Sequence, residues 1–149
     1  MKILFPIILY LVVSLLLLAP CALCQDEVSG CVNCHSELDD GDIEAPAELF
    51  KNDIHNQAAL GCVGCHGGDP TSDDEDLAMS EATGFIGVPD PTDIPKICSR
   101  CHSDPILMKS FDPGLAIDQY AKYMTSIHGI RNSAGDTKVA QCASCHRAH

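Results

Sequence analysis

Tryptophan is missing from the 149 residues, and only four Phe and three Tyr are present. Phe5, Tyr10 and most of the leucines fall within the first 24 residues. The remainder cannot build a large apolar core from its own side chains, and such a chain needs staples, metal or cofactor to be stable. Positive charge is equally scarce: 9 Lys and Arg stand against 21 Asp and Glu, a formal charge of −12. That balance argues against nucleic acid and anionic lipid as partners. Also lacking is any alternating pattern long enough for a strand. The expected fold is therefore mainly α with extensive loops and little or no β. Length allows one domain or two very small ones.

The opening stretch MKILFPIILYLVVSLLLLAPCALCQDE has a positive start at Lys2, an apolar run from Ile3 to Ala19 and a small-residue exit. This is the layout of a secretory signal over residues 1–24, with cleavage expected after Cys24 and Ala22 at the minus-three position. An uncleaved anchor is the alternative, because a spanning helix needs about 20 apolar residues. A lipoprotein is the weaker one, since Pro20 before Cys21 and Leu23 before Cys24 suit no lipid-acceptor site. The signal and anchor readings both place residues 25–149 outside the cytoplasm, periplasmic or secreted. Without Lys2, eight basic residues face 21 acidic ones, a formal charge of −13. An acidic surface suits solubility and encounter with basic partners.

Setting aside Cys21 and Cys24, eight of the ten cysteines remain, and all eight obey one pattern. Cys31-Val-Asn-Cys34-His35, Cys62-Val-Gly-Cys65-His66, Cys98-Ser-Arg-Cys101-His102 and Cys142-Ala-Ser-Cys145-His146 are four copies of CxxCH, the attachment sequence of c-type haem. Two cysteines three apart lie on one side of a helical turn, so both sulfurs can reach the vinyl groups of one porphyrin. The histidine that follows offers its imidazole to the iron as proximal ligand. Zinc is the rival reading, but 27 residues between Cys34 and Cys62 and 40 between Cys101 and Cys142 exceed ribbon spacing. Disulfides are permitted in this compartment. Neither rival explains a histidine after every second cysteine. Four covalently bound haems would supply the core that the sequence lacks.

A second level of repetition surrounds these motifs. Ile54-His55 lies between the first and second, and Ile127-His128 between the third and fourth. The chain reads as two dihaem units, about 28–68 and 96–149, joined by an acidic loop rich in Gly and Pro. Within it, Asp73-Asp74-Glu75-Asp76 reads as a solvated acidic turn, with calcium binding as the alternative. The sequence predicts a helix that begins with Pro46 in its first turn, runs through AELFKNDIHNQAAL to Gly61 and places Leu49, Phe50, Ile54 and Ala58 along one side. A longer one is predicted from about Leu115 to His128, with Ala116, Tyr120, Tyr123, Met124 and Ile127 on its apolar stripe and Gly129 as terminator. Each would carry its histidine near the far end and aim it at an iron held elsewhere.

Four irons with four proximal histidines leave His55, His128 and His149 as candidates for the opposite axial positions. His149 stands too close to His146 to reach the other face of the same haem, so it should serve a neighbouring one. The fourth iron then takes Met79 or Met108, or stays open; Met124 belongs to the apolar stripe.

With these features, the sequence resembles bacterial multihaem c-type cytochromes of the doubled-CXXCH and tetrahaem group. The similar stretches are DIHNQAALGCVGCHGGDP, GFIGVPDPTDIPKICSRCHSD and YMTSIHGIRNSAGDTKVAQCASCHRAH. The resemblance implies a haem stack wrapped by short helices and loops. It also implies His35, His66, His102 and His146 as proximal ligands, His55, His128 and His149 as distal ones, and electron transfer as the activity. Two positions depart from the related pattern: Asn56 follows His55 and Arg147 follows His146, where Gly is usual. Related proteins often continue past the last motif, so the reading includes a chain that belongs to a longer protein. The expected function is an electron carrier between redox partner proteins of a respiratory chain. Two rivals stand beside it. One is a reductase or oxidase of small nitrogen or sulfur compounds at an open iron, with Arg131, Tyr120 or Tyr123 in the pocket. The other is a filament subunit in which His149 ligates a haem of the next copy.

Overall fold

A computed structural model describes residues 29–39 and 41–147. The leader over residues 1–24, with its cleavage and anchor readings, and His149 lie outside the described residues. Among those described there is no strand, and the chain is mainly helical. No helix among them is long and apolar enough to cross a membrane.

The helices are short because the sequence keeps starting new ones. In chain order they are α1 (Gly30–Glu37), α2 (Gly41–Phe50), α3 (Ile54–Gln57), α4 (Val63–His66), α5 (Glu75–Ala78), α6 (Ile94–His102), α7 (Pro105–Phe111), α8 (Gln119–Thr125), α9 (Ile127–Ser133) and α10 (Cys142–His146). A 3-10 turn over Glu81–Thr83 follows α5. Asp53, Asp74, Ser80, Asp104, Ser126 and Gln141 each precede an element and accept from a backbone N–H two or three residues on. Such caps satisfy the orphan donors of a first turn. Part of the acidic excess therefore acts locally, since Asp74, the second residue of the acidic turn, holds both Asp76 N and Leu77 N.

Both longer predicted helices are broken. The first begins before Pro46, which lies inside α2, and stops at Phe50. The peptide N–H groups of Lys51, Asn52 and Asp53 then bond the carbonyls of Glu48, Leu49 and Phe50, a tightened last turn. Asp53 caps a fresh helix directly afterwards. This splits the expected apolar stripe: Phe50 is buried, whereas Leu49 and Ile54 are exposed. In the second, Leu115 to Asp118 are not helical, and Ser126 interrupts the rest by capping α9. Gly129 does not terminate that helix but lies buried within it. His55 and His128 are consequently each the second residue of a new short helix, not the end of a long one.

Packing centres on α6, which contacts α7, α8 and α10, while α1 packs on α2 and α8 on α9. The apolar core is small: Ala47, Phe50 and Met108 are the buried hydrophobic side chains among the described residues. Buried Asn132 donates to the Pro91 carbonyl at 3.1 Å and ties α9 to the loop that leads into α6. Tyr123 donates to the Ala140 carbonyl at 3.2 Å and so fastens α8 to the segment entering α10.

Candidate functional site

Each CxxCH motif lies on a helical turn. Cys31 to His35 fall within α1, Cys62 caps α4, Cys98 to His102 close α6, and Cys142 to His146 are the whole of α10. Residues three and four apart face one side of such a turn, so both sulfurs and the imidazole of each motif leave it together. None of the eight described cysteines is in a disulfide. This donor set fits a c-type haem: two thiols for two thioethers, with an imidazole placed for the iron. The described residues contain no group of three or more His, Cys, Asp or Glu gathered as a protein-only metal centre. A haem iron makes no such demand, since the porphyrin supplies four of its ligands.

The thiols of different motifs feel one another. Burial pushes the Cys62 thiol up, and Cys31 nearby adds to the shift. Burial raises Cys65 as well, helped by Cys101 and Asp53 and opposed by Arg100. A hydrogen bond between the Cys98 and Cys142 thiols raises Cys98 and brings Cys142 down to about 7. The first motif thus neighbours the second, the second the third, and the third the fourth. The second-to-third link spans the long loop expected to join the two units.

Two imidazoles have their Nδ1 occupied. His66 Nδ1 is 2.9 Å from the Gly87 carbonyl, and His55 Nδ1 is 2.7 Å from Asp53 Oδ1. An acceptor at Nδ1 fixes the proton there and makes Nε2 the lone-pair nitrogen, the usual support of a metal-bound histidine. Gly87 reaches His66 because the loop folds back over the second motif. Ile86 N donates to the His66 carbonyl at 2.9 Å, and Gly68 N to that of Thr83 at 3.2 Å. Gly67, at φ 69°, makes this closeness possible, because a Cβ there would stand 2.1 Å from the Gly84 oxygen.

His102 meets His55 ring to ring, with centroids 6.1 Å apart and planes at 90°. Burial first, and then the closeness of His55 and His146, lower the His102 pKa. The neutral imidazole favoured in this way is the metal-binding form. His35 and His66 are half-buried, and His128 and His146 are exposed. Met108 is buried in α7 beside α6, while Met79 is an exposed residue at the end of α5.

Compared with models of known protein families, with curated proteins and with solved structures, the chain matches none. The residues themselves carry the reading. Of the three groups considered for a substrate pocket, Tyr123 is spent on the Ala140 carbonyl and Arg131 donates from Nε to Asp136 Oδ2 at 3.0 Å. Tyr120 lines a small cleft of about 260 Å³ with Met124 and Asn132. A larger open cleft, about 420 Å³, runs between Leu49 to Asp53 and the residues of α10 with Arg147. Asp53 and the Gly87 carbonyl escaped the sequence reading. One signal was there: Asp53-Ile54-His55 and Ser126-Ile127-His128 share a capping residue, Ile and His.

Proposed function

We propose that the chain is a periplasmic or secreted tetrahaem c-type cytochrome that accepts single electrons from one redox partner and passes them to another. The observation that carries this reading is the run of four CxxCH turns in which each motif neighbours the next. When bound, the haems would supply the one-electron chemistry. The chain itself tethers, orients and shields them. Cys31 and Cys34, Cys62 and Cys65, Cys98 and Cys101, and Cys142 and Cys145 would hold the four haems through thioethers. His35, His66, His102 and His146 present Nε2 to the irons. His55, His128 and His149 would be further ligands to the irons, and Met79 or Met108 is the candidate for the fourth. Short helices and loops wrap the resulting stack. The acidic surface, a formal −12 over the whole chain, favours encounter with basic partner patches.

The test is intact mass followed by absorption spectra of the oxidised and reduced protein, with and without carbon monoxide. Four haem additions and low-spin spectra unmoved by carbon monoxide are expected of a carrier. One high-spin, carbon-monoxide-binding haem would transfer the proposal to the small-molecule reductase or oxidase. Absence of haem additions would end it.

A further inference from the structure

The contact between His55 and His102 lies within the ordinary range of perpendicular ring pairs, and its distance also fits two ligands of one iron. Two imidazoles bound on opposite sides of one metal ion are separated by two metal–nitrogen bonds of about 2 Å and two half-rings, which puts their centroids about 6 Å apart. The observed centroid separation is 6.1 Å. His55 also has Nδ1 on the Asp53 carboxylate at 2.7 Å, which leaves Nε2 to point away from it. The Asp53 side chain is only 8% exposed, so its charge is poorly screened, and the same Oδ1 accepts from His55 N at 2.7 Å. One carboxylate therefore fixes both the backbone and the ring of this histidine.

Resting on the tetrahaem reading, we infer that His55 and His102 are the two axial ligands of the haem carried by Cys98 and Cys101, and that Asp53 is a positioning residue for His55 that lowers this haem's potential below those of the other three. His55 then crosses from the first half of the chain to an iron of the second, consistent with the nearness of the second and third motifs. An anionic acceptor on Nδ1–H makes the imidazole a stronger donor and stabilises the oxidised iron. The Gly87 carbonyl on His66 is neutral and does this less. The perpendicular ring planes add a spectroscopic mark. They leave the two upper π-type d orbitals of a low-spin iron nearly degenerate, which gives a strongly anisotropic electron paramagnetic resonance signal.

The experiment is a redox titration of the four-haem protein with and without Asp53→Asn. Asn keeps the cap on His55 N and removes only the charge. At the ambient potential where the wild-type site is half reduced, the variant's reduced-to-oxidised ratio should be about tenfold higher, equivalent to 59 mV for one electron. The other three potentials should stay in place. Asp53→Glu should restore the wild-type value in part, and His55→Ala should abolish the anisotropic signal and open one haem to carbon monoxide. In a Cys98→Ser/Cys101→Ser protein with three haems by mass, Asp53→Asn should change nothing; a persisting shift would place His55 on another iron and overturn the pairing. Four haems in the wild-type protein with no potential moved by Asp53→Asn would overturn the role of Asp53 while leaving the tetrahaem reading intact. A protein without haem would remove both.

Discussion

A methyl group added at Gly129 would stand 2.0 Å from the Tyr123 carbonyl oxygen and 2.8 Å from Met124 Cα, both backbone atoms that cannot swing aside. Gly129→Ala should therefore force α8 and α9 apart and cost roughly 1–3 kcal/mol, as overpacking does. Gly61 is the control: nothing lies within 4 Å of the equivalent position, so Gly61→Ala should be neutral or stabilising by about 0.4–1 kcal/mol through the unfolded chain. Denaturant melts of the two variants check this pair, and a Gly129→Ala protein as stable as the parent would refute the close approach. Charge acts at the same scale. Asp69-Pro70-Thr71 and Asp90-Pro91-Thr92 are copies of one turn, in which the aspartate accepts from the threonine N–H and hydroxyl. The Thr71 and Thr92 side chains, and then their amides, hold both carboxyls below the ordinary value. A depressed folded pKa gives stability that is present above the ordinary carboxylate pKa of about 4 and lost as pH falls through the lowered one. Thr71→Val and Thr92→Val should bring the Asp69 and Asp90 titrations back upward in an NMR pH series and flatten the acid-side loss; unshifted titrations would rule out the hydroxyl as the cause.

Among the elements, the Ser126 cap decides whether the segment from Gln119 to Ser133 is one helix or two. Its hydroxyl oxygen accepts from Gly129 N at 3.1 Å, and its own backbone sits at ψ 161°, outside the helical range. Ser126→Ala should cost about 1 kcal/mol and Ser126→Asp should recover most of it, measured by chemical denaturation. A fully stable Ala variant would mean that packing, not capping, sets the break. This element also shows what could be read from the sequence. The spacing of Tyr120, Tyr123 and Met124 gave a true helix, α8, whose stripe is half-buried. Periodicity carried the expectation through Ser126 to His128, because a three-to-four repeat does not register a capping serine inside it. The same blindness joined α2 to α3 across Asp53. Local capping chemistry overrode the apolar period at both histidines, and it is why His55 and His128 start helices. The CxxCH turns were legible for the opposite reason: the haem attachment proposed for them demands a fixed local spacing that no distant contact supplies.

For the molecule as a whole, the question is what fills its middle. Long-range contacts were not legible in the sequence: the Asn132 bond to Pro91 spans 41 residues and the His66 contact with Gly87 spans 21, and neither leaves a local pattern. The scarcity of core residues was legible, and the structure agrees. Ala47, Phe50 and Met108 are buried, while Val88 is 96%, Ile106 85% and Phe111 54% exposed. The first three are the buried hydrophobic side chains among the described residues, too few to make an apolar core of ordinary size. On the tetrahaem reading, apolar porphyrin faces supply the missing interior, and the chain with four haems attached should unfold in one cooperative thermal transition. The same chain made where haem attachment does not occur should retain some helix by far-ultraviolet circular dichroism but show no cooperative melt. A haem-free chain that melted as sharply, and at the same temperature, would mean that the polypeptide folds on its own small core. The attachment motifs would then be decoration on a self-sufficient fold, and the claim that cofactors constitute its interior would fail even if all four were bound.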